Sequence, residues 1–184
     1  MIGIKEAMIA EVKDKGLDIP ESHIKQGLRS YNSRKTYLKA LTLGGNRFDM
    51  NGQPKGEITP QQQAFANWLN GLNILRNRCA HHSRIWNRKY VPLMIPQIDY
   101  FDSLISTSLQ KERIYGLICV MWYLVKRIAP NSNWLRQVAD LIDSKPNMPG
   151  CNFNHMGLSS RGFPREAFGA DLGFITASNE NNIF

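Results

Sequence analysis

At 184 residues, 42% of them hydrophobic and 21% charged, the chain has the composition of one globular domain, which excludes collagen-like, disulfide-scaffold and disordered classes. Twenty-three Lys and Arg against fifteen Asp and Glu leave a net charge of +8, an excess that favours phosphate-rich or otherwise acidic partners. Three widely spaced cysteines, Cys79, Cys119 and Cys151, and charges where a signal peptide would be apolar, point to a reducing, cytoplasmic setting.

In chain order, residues 1–15 carry apolar positions at helical spacing, with Gly16 as a stop, and Pro20 precedes a second predicted helix from Ser22 to Leu41. The segment from Gly44 to Thr59, with Asn51-Gly52, Pro54 and Gly56, reads as a long loop or a short hairpin. Thr59-Pro60 is an N-cap followed by a first-turn proline, and the absence of another proline before Pro92 predicts a long helix. A weaker helix follows over Tyr100 to Leu109. Lys111 to Ala129 is the most apolar helix; its strongly apolar part, Ile114 to Val125, is twelve residues, short of the roughly 20 that cross a membrane. Asn133 to Ile142 forms a last amphipathic helix before a Gly-, Pro- and Asn-rich tail that contains Gly173 and is expected to wrap irregularly and fray at its end. No repeat and no period-two alternation occurs, so the predicted class is all-α, a compact helical bundle.

The stretch Arg76 to Lys89 holds five basic residues, two histidines and no acid. Projected at 100° per residue, Phe65, Trp68, Leu72, Leu75, Cys79 and Trp86 share one stripe, expected to be core, whereas Asn70, Asn73, Asn77, His81, Arg84 and Arg88 share a polar face. Asparagine is a mediocre helix former, so three of them on that face tilt it from a merely solvated surface towards a site.

Leu72 to Arg88 (LNILRNRCAHHSRIWNR), followed by Arg113-Ile114-Tyr115-Gly116-Leu117, Tyr123-Leu124 and Pro130 to Trp134, resembles the signature of bacterial Abi-like proteins, the abortive-infection family associated with phage defence. Within it, Arg76-Asn77 and His81 are similar to the arginine, polar residue and histidine pattern of the HEPN superfamily, whose active members are metal-independent ribonucleases built on helical bundles. The resemblance covers about residues 60–145. It implies three parts: an unassigned N-terminal segment over 1–58, a HEPN-like core over 59–145 and an irregular tail over 146–184. It also implies an antiviral endoribonuclease that works as a homodimer.

The residues offer matching chemistry. RNA cleavage through its own 2′-OH needs a base, an acid and positive charge on the transition state. His81 is a candidate acid or base, and Arg76 a candidate electrostatic clamp. Asn77, one turn before His81, could orient it or contact phosphate. Arg84 and Arg88, joined by Arg78 and Asn73, are candidate RNA-binding residues. Positions five apart are about 140° out of phase on a helix, so Arg76 and His81 need either a distorted helix or a second copy. The expected partners are RNA, a second copy and a regulatory RNA or protein, with no membrane and no cofactor. Cys79, His81, His82, Cys151 and His155 match no familiar zinc spacing, so no metal is expected, and Cys79 reads as an inert core thiol. Two rivals remain: a non-catalytic RNA-binding or regulatory module, and a helical protein whose basic face meets an acidic protein.

Overall fold

The computed structural model describes residues 3–172 of the chain. They are mostly helical, with eight α-helices and one two-stranded hairpin, and the all-α class expected from the sequence holds. The chain divides into two compact units, Met1–Asn70 and Gly71–Phe184.

In the first unit, α1 (Ile4–Asp14) ends just before Gly16, whose φ of 61° suits a residue without a side chain. Pro20, with φ −59° and ψ 141°, fixes the entry to α2 (Glu21–Asn32). The single helix expected over Ser22 to Leu41 is two: α2 stops at Ser33, and Arg34 is extended before α3 (Lys35–Leu43). Ser33 Oγ donates to Ser30 O at 3.1 Å, the kind of local side-chain bond that competes with helix continuation. The loop that follows contains a hairpin, with β1 (Asn46–Phe48) antiparallel to β2 (Pro54–Glu57) and an irregularity between Asn46 and Phe48. Its turn is held by the Asp49 carboxylate, which accepts from the backbone N–H groups of Asn51 and Gln53, both at 2.9 Å.

The expected N-cap begins α4 (Pro60–Ala80). Thr59 Oγ1 accepts from Gln62 N at 3.3 Å while Gln62 Oε1 accepts from Thr59 N at 3.0 Å, a reciprocal capping box. The helix does not reach Pro92. His82 takes φ 49°, His82 N donates to Cys79 O at 3.0 Å and Ser83 N to Arg78 O at 2.8 Å. This pair of bonds is the Schellman stop, with histidine where glycine is usual. Residues 83–98 are irregular.

The second unit is organised around α7 (Ile114–Ile128), in which Ile114 to Val120 and Trp122 are buried. A helix apolar on most sides must be covered on most sides. Its close neighbours sit at glycines: a Cβ on Gly116 would lie 2.4 Å from Gln110 O and 2.9 Å from Leu93 Cδ1. The weak helix expected over 100–109 is two single turns, α5 (Asp99–Asp102) and α6 (Ser108–Lys111). After α8 (Trp134–Asp143) the tail is irregular but buries Met156, Leu158, Phe163, Phe168 and Leu172. It forms a 3-10 turn over Phe153–Met156 and a 3-10 stretch over Arg165–Leu172 that is broken by a kink at Gly169, with φ 47° and ψ −122°. Arg165 bridges Asp140 at 2.7 Å and Asp143 at 2.9 Å, and Asp171 accepts from Trp122 Nε1 at 2.8 Å and pairs with Lys126. Gly173 and the Asn-rich end lie outside the described residues.

Three placements along α4 depart from the expected stripe. Phe65 is 47% exposed and Cys79 is exposed, whereas Asn70, expected on the polar face, is buried. Trp68 and Leu75 are buried as expected. Among the described residues no helix is long and apolar enough to cross a membrane.

Candidate nucleic-acid interface

The first unit contains a basic surface that residue-by-residue reading passed over. From Ser22 to Phe48 there are six Lys or Arg and no Asp or Glu. Lys25 and Arg29 lie on α2, Lys35 and Lys39 on α3, Arg34 between the helices and Arg47 on β1. Lys25 is paired with Glu21 at 2.9 Å. Arg29, Arg34, Lys35 and Lys39 are exposed. Two aromatic rings of the same helices lie together: Tyr31, 44% exposed, and the half-buried Tyr37, with centroids 5.1 Å apart and planes tilted by 55°.

Tyr37 and Arg47 also line two neighbouring concavities, of about 420 and 410 Å³. The first is shared with Asn32, Gln61, Gln62 and Phe65, which explains why Phe65 is exposed; the second is bordered by Tyr31, Asn46 and Phe48. Arg47 Nε is buried without a hydrogen-bond partner among the described residues. Burial pushes the Tyr37 hydroxyl above the usual phenol range, and the Arg47 charge opposes that shift. The lining of the two concavities holds the Arg47 cation and the Asp49 carboxylate with flat rings and amides, and rings and amides beside a guanidinium can stack bases and contact a phosphate.

The residues singled out from the sequence lie in the second unit, at the end of α4 and beyond. Asn73 is half-buried in the helix. Arg76 and Asn77 are exposed, and Arg76 Nη1 donates to Asn77 Oδ1 at 3.2 Å. Arg78 is half-buried, with its guanidinium 4.8 Å from the centre of the Tyr90 ring. His81 is exposed in the C-cap, its backbone N–H bonded to Asn77 O at 3.1 Å, and Arg84 and Arg88 are exposed in the irregular segment. The end of the helix at Ala80 removes the continuous polar face expected from Asn70 to Arg88, because 81–88 no longer follow helical phase.

Sequence reasoning missed Tyr31, Tyr37 and Arg47. The available signal was the acid-free run over 22–48, whose cations are spread over three elements. The cysteines are free, with Cys119 buried, Cys151 intermediate and Cys79 exposed, so Cys79 is not the core thiol expected. Burial pushes the Cys119 thiol up to about 12. Among the described residues no group of three or more His, Cys, Asp or Glu side chains is placed to hold a metal ion. Of the four tryptophans, Trp68 and Trp122 are buried and Trp86 and Trp134 half-buried.

The family described as the ProQ/FINO family matches residues 1–77. Among solved structures, the chain is similar to that of NMB1681 from Neisseria meningitidis MC58, described as a FinO-like RNA chaperone. The identity is 39% over 36% of this chain and 66% of that one, with a TM-score of 0.33. No curated protein matches. The match to residues 1–77 overturns the Abi-like and HEPN resemblance, and with it the metal-independent endoribonuclease and the phage-defence role which that resemblance implied. The matched segment contains the whole of the first 58 residues, which the resemblance left unassigned, and stops at Asn77, before His81.

Proposed function

We propose that this chain binds RNA without cutting it. The reading is supported by the match of residues 1–77 to the ProQ/FINO family, and the observation that carries it is the run from Ser22 to Phe48 in that same segment, with six Lys or Arg and no acid, whose Tyr31, Tyr37 and Arg47 line a cleft. Arg29, Arg34, Lys35 and Lys39 would hold backbone phosphates, each releasing counterions. The rings of Tyr31 and Tyr37 would receive unstacked bases, and Arg47 a phosphate or a base edge. Arg78, Arg84 and Arg88, with Asn73, would add contacts from the second unit. A reducing cytoplasm suits both an RNA ligand and three free thiols.

The homodimer expected from the phase offset of Arg76 and His81 served a catalytic site, and binding by the first unit needs no second copy. Sedimentation with and without RNA measures the stoichiometry.

Filter binding with a structured RNA at increasing salt tests the reading. Neutralising four or five phosphates predicts a slope of about −3 to −4.5 in log K against log salt. Combined substitution of Arg34, Lys35 and Lys39 by Gln should lower that slope in proportion, and gels should show the RNA intact. Absence of RNA binding at about 50 mM salt, where electrostatic contacts are strong, would reject it.

A further inference from the structure

The chain that leaves α4 in the second unit is more basic than its local structure requires. From Ile58 to Ile98 there is no Asp or Glu, and the cations of that run, Arg76, Arg78, Arg84, Arg88 and Lys89, all lie between positions 76 and 89. The fold draws a further cation to them: Arg113 Nη1 donates to Asn87 O at 2.6 Å, while Tyr90 N donates to Glu112 O at 2.8 Å. The Arg78 guanidinium lies over the Tyr90 ring at 4.8 Å. Burial pushes the Tyr90 hydroxyl above the usual phenol range, and the charges of Arg78 and Arg88 oppose that shift, so both cations stand near one ring. Glu112 meets the segment through Lys89, at 3.3 Å. The five arginines have no carboxylate partner among the described residues.

Cations in the last turn of a helix are favoured by its dipole, which accounts for Arg78. That effect fades within a turn, and Arg84 and Arg88 lie beyond it, exposed on irregular chain. Like charges gathered without acids repel one another, a cost that a polyanion removes. An acidic protein and a nucleic acid both carry such charge. A protein interface has an apolar centre, but between Arg76 and Lys89 no large apolar side chain is exposed. Guanidinium forks, in contrast, fit phosphate oxygens two at a time. A platform for unpaired bases is also missing. Tyr90 is buried and Trp86 half-buried, which leaves the small imidazoles of His81 and His82 as the exposed rings. Backbone contact without stacking suits paired strands, whose bases are already stacked on one another and whose two backbones carry the charge.

We propose that Arg76, Arg84 and Arg88, with Arg78 and Arg113 beside them, form a surface of the second unit that holds the backbone of double-stranded RNA without reading its sequence. The proposal deepens the RNA-binding reading by naming what the second unit takes. It rests on residues other than those at the cleft of the first unit, so the two fail separately.

Fluorescence anisotropy of the full chain provides the test, with a labelled blunt RNA duplex of about 16 base pairs, which presents two successive minor grooves, and with labelled oligouridine as the unpaired strand. The wild type should bind both at about 50 mM salt, and duplexes of two unrelated sequences equally. The double variant Arg84→Gln with Arg88→Gln changes two exposed side chains and should fold, as circular dichroism and melting confirm. It should weaken duplex binding by about tenfold and flatten its salt slope by about 1 per arginine removed, with oligouridine bound as before. Substitution of Arg34, Lys35 and Lys39 by Gln should do the converse. Arg136→Gln, which removes an exposed charge on α8, should leave both unchanged. A wild type that binds oligouridine but not the duplex would overturn this proposal and leave the RNA-binding reading standing, and one that binds neither would overturn both. A folded double variant that holds the duplex unchanged would also overturn it. So would displacement of the duplex by polyglutamate as readily as by unlabelled duplex at equal charge, which would assign the surface to an acidic protein.

Discussion

At Tyr37 the fold places a phenol where it is neither core nor fully solvated. One side of its environment is Tyr31, the other Arg47, and two concavities meet at its ring. In the RNA-binding reading the ring, not the hydroxyl, supplies the affinity, because every base has a face to stack and few have an edge in reach. Tyr37→Ala should therefore weaken RNA binding by about 1–3 kcal/mol, the usual value of one stacked base, while Tyr37→Phe should retain most of it. Fluorescence anisotropy with labelled RNA distinguishes the two, and equal loss in both variants would assign the effect to the hydroxyl. Arg47 was hard to find from sequence for a physical reason. It is ten positions from Tyr37, on a strand, and only the return of the hairpin against α3 brings the two to one cleft. The basic cluster from Arg76 to Lys89 was easy to find because it is contiguous. Contiguity is a property of the chain, and a binding surface need not share it.

For the elements, start signals were more legible than stops. Thr59-Pro60 is a side-chain cap followed by a fixed φ, and α4 begins there. Gly16 and Pro20 bracket α1 and α2 for equally local reasons. The end of α4 was invisible because its stop uses His82 in the left-handed region instead of the expected glycine. A β-carbon in that conformation costs about 1–2 kcal/mol, part of which the more flexible unfolded glycine chain offsets. His82→Gly should accordingly stabilise the protein by about 0.5–1 kcal/mol, read as a higher urea midpoint with unchanged m-value. A lower midpoint would mean that the imidazole makes a contact worth more than the strain. The same stop explains why the amphipathic projection failed beyond Ala80: period 3.6 has meaning only while the helix lasts. Phe65 and Asn70 broke the pattern inside the helix. A cleft opens beside Phe65, and Asn70 is buried.

For the molecule as a whole, the second unit stores a dependence on alkaline pH. Burial raises the Cys119 thiol from about 9 to about 12, and burial likewise pushes the Tyr100 and Tyr115 hydroxyls above the phenol range. The folded state thus favours the neutral forms. Below about pH 9 all three groups are neutral folded or unfolded, and their contribution is fully present. As pH rises further the unfolded chain ionises first, so stability falls by up to about 1.4 kcal/mol per pH unit for each group until its folded pKa is reached. Between pH 8 and 10.5 the unfolding free energy should drop by about 3 kcal/mol, with most of the loss carried by the thiol. Urea denaturation at several pH values checks this, and Cys119→Ala should flatten the portion between pH 9 and 10. A flat profile in the wild type would show that the thiol ionises without unfolding.

The two units also differ in when each can be finished. The first is closed by residue 70, so its basic cleft is complete once that much chain has been made. The Trp122 indole, by contrast, finds its acceptor in Asp171, and Phe163, Phe168 and Leu172 complete the buried set. At a synthesis rate of about 5–20 residues per second, those residues follow the first unit by roughly 5–20 s. During that interval the nascent chain presents a folded basic surface beside an unfinished apolar core. In the RNA-binding reading, a ligand of the first unit can be engaged before the second unit closes.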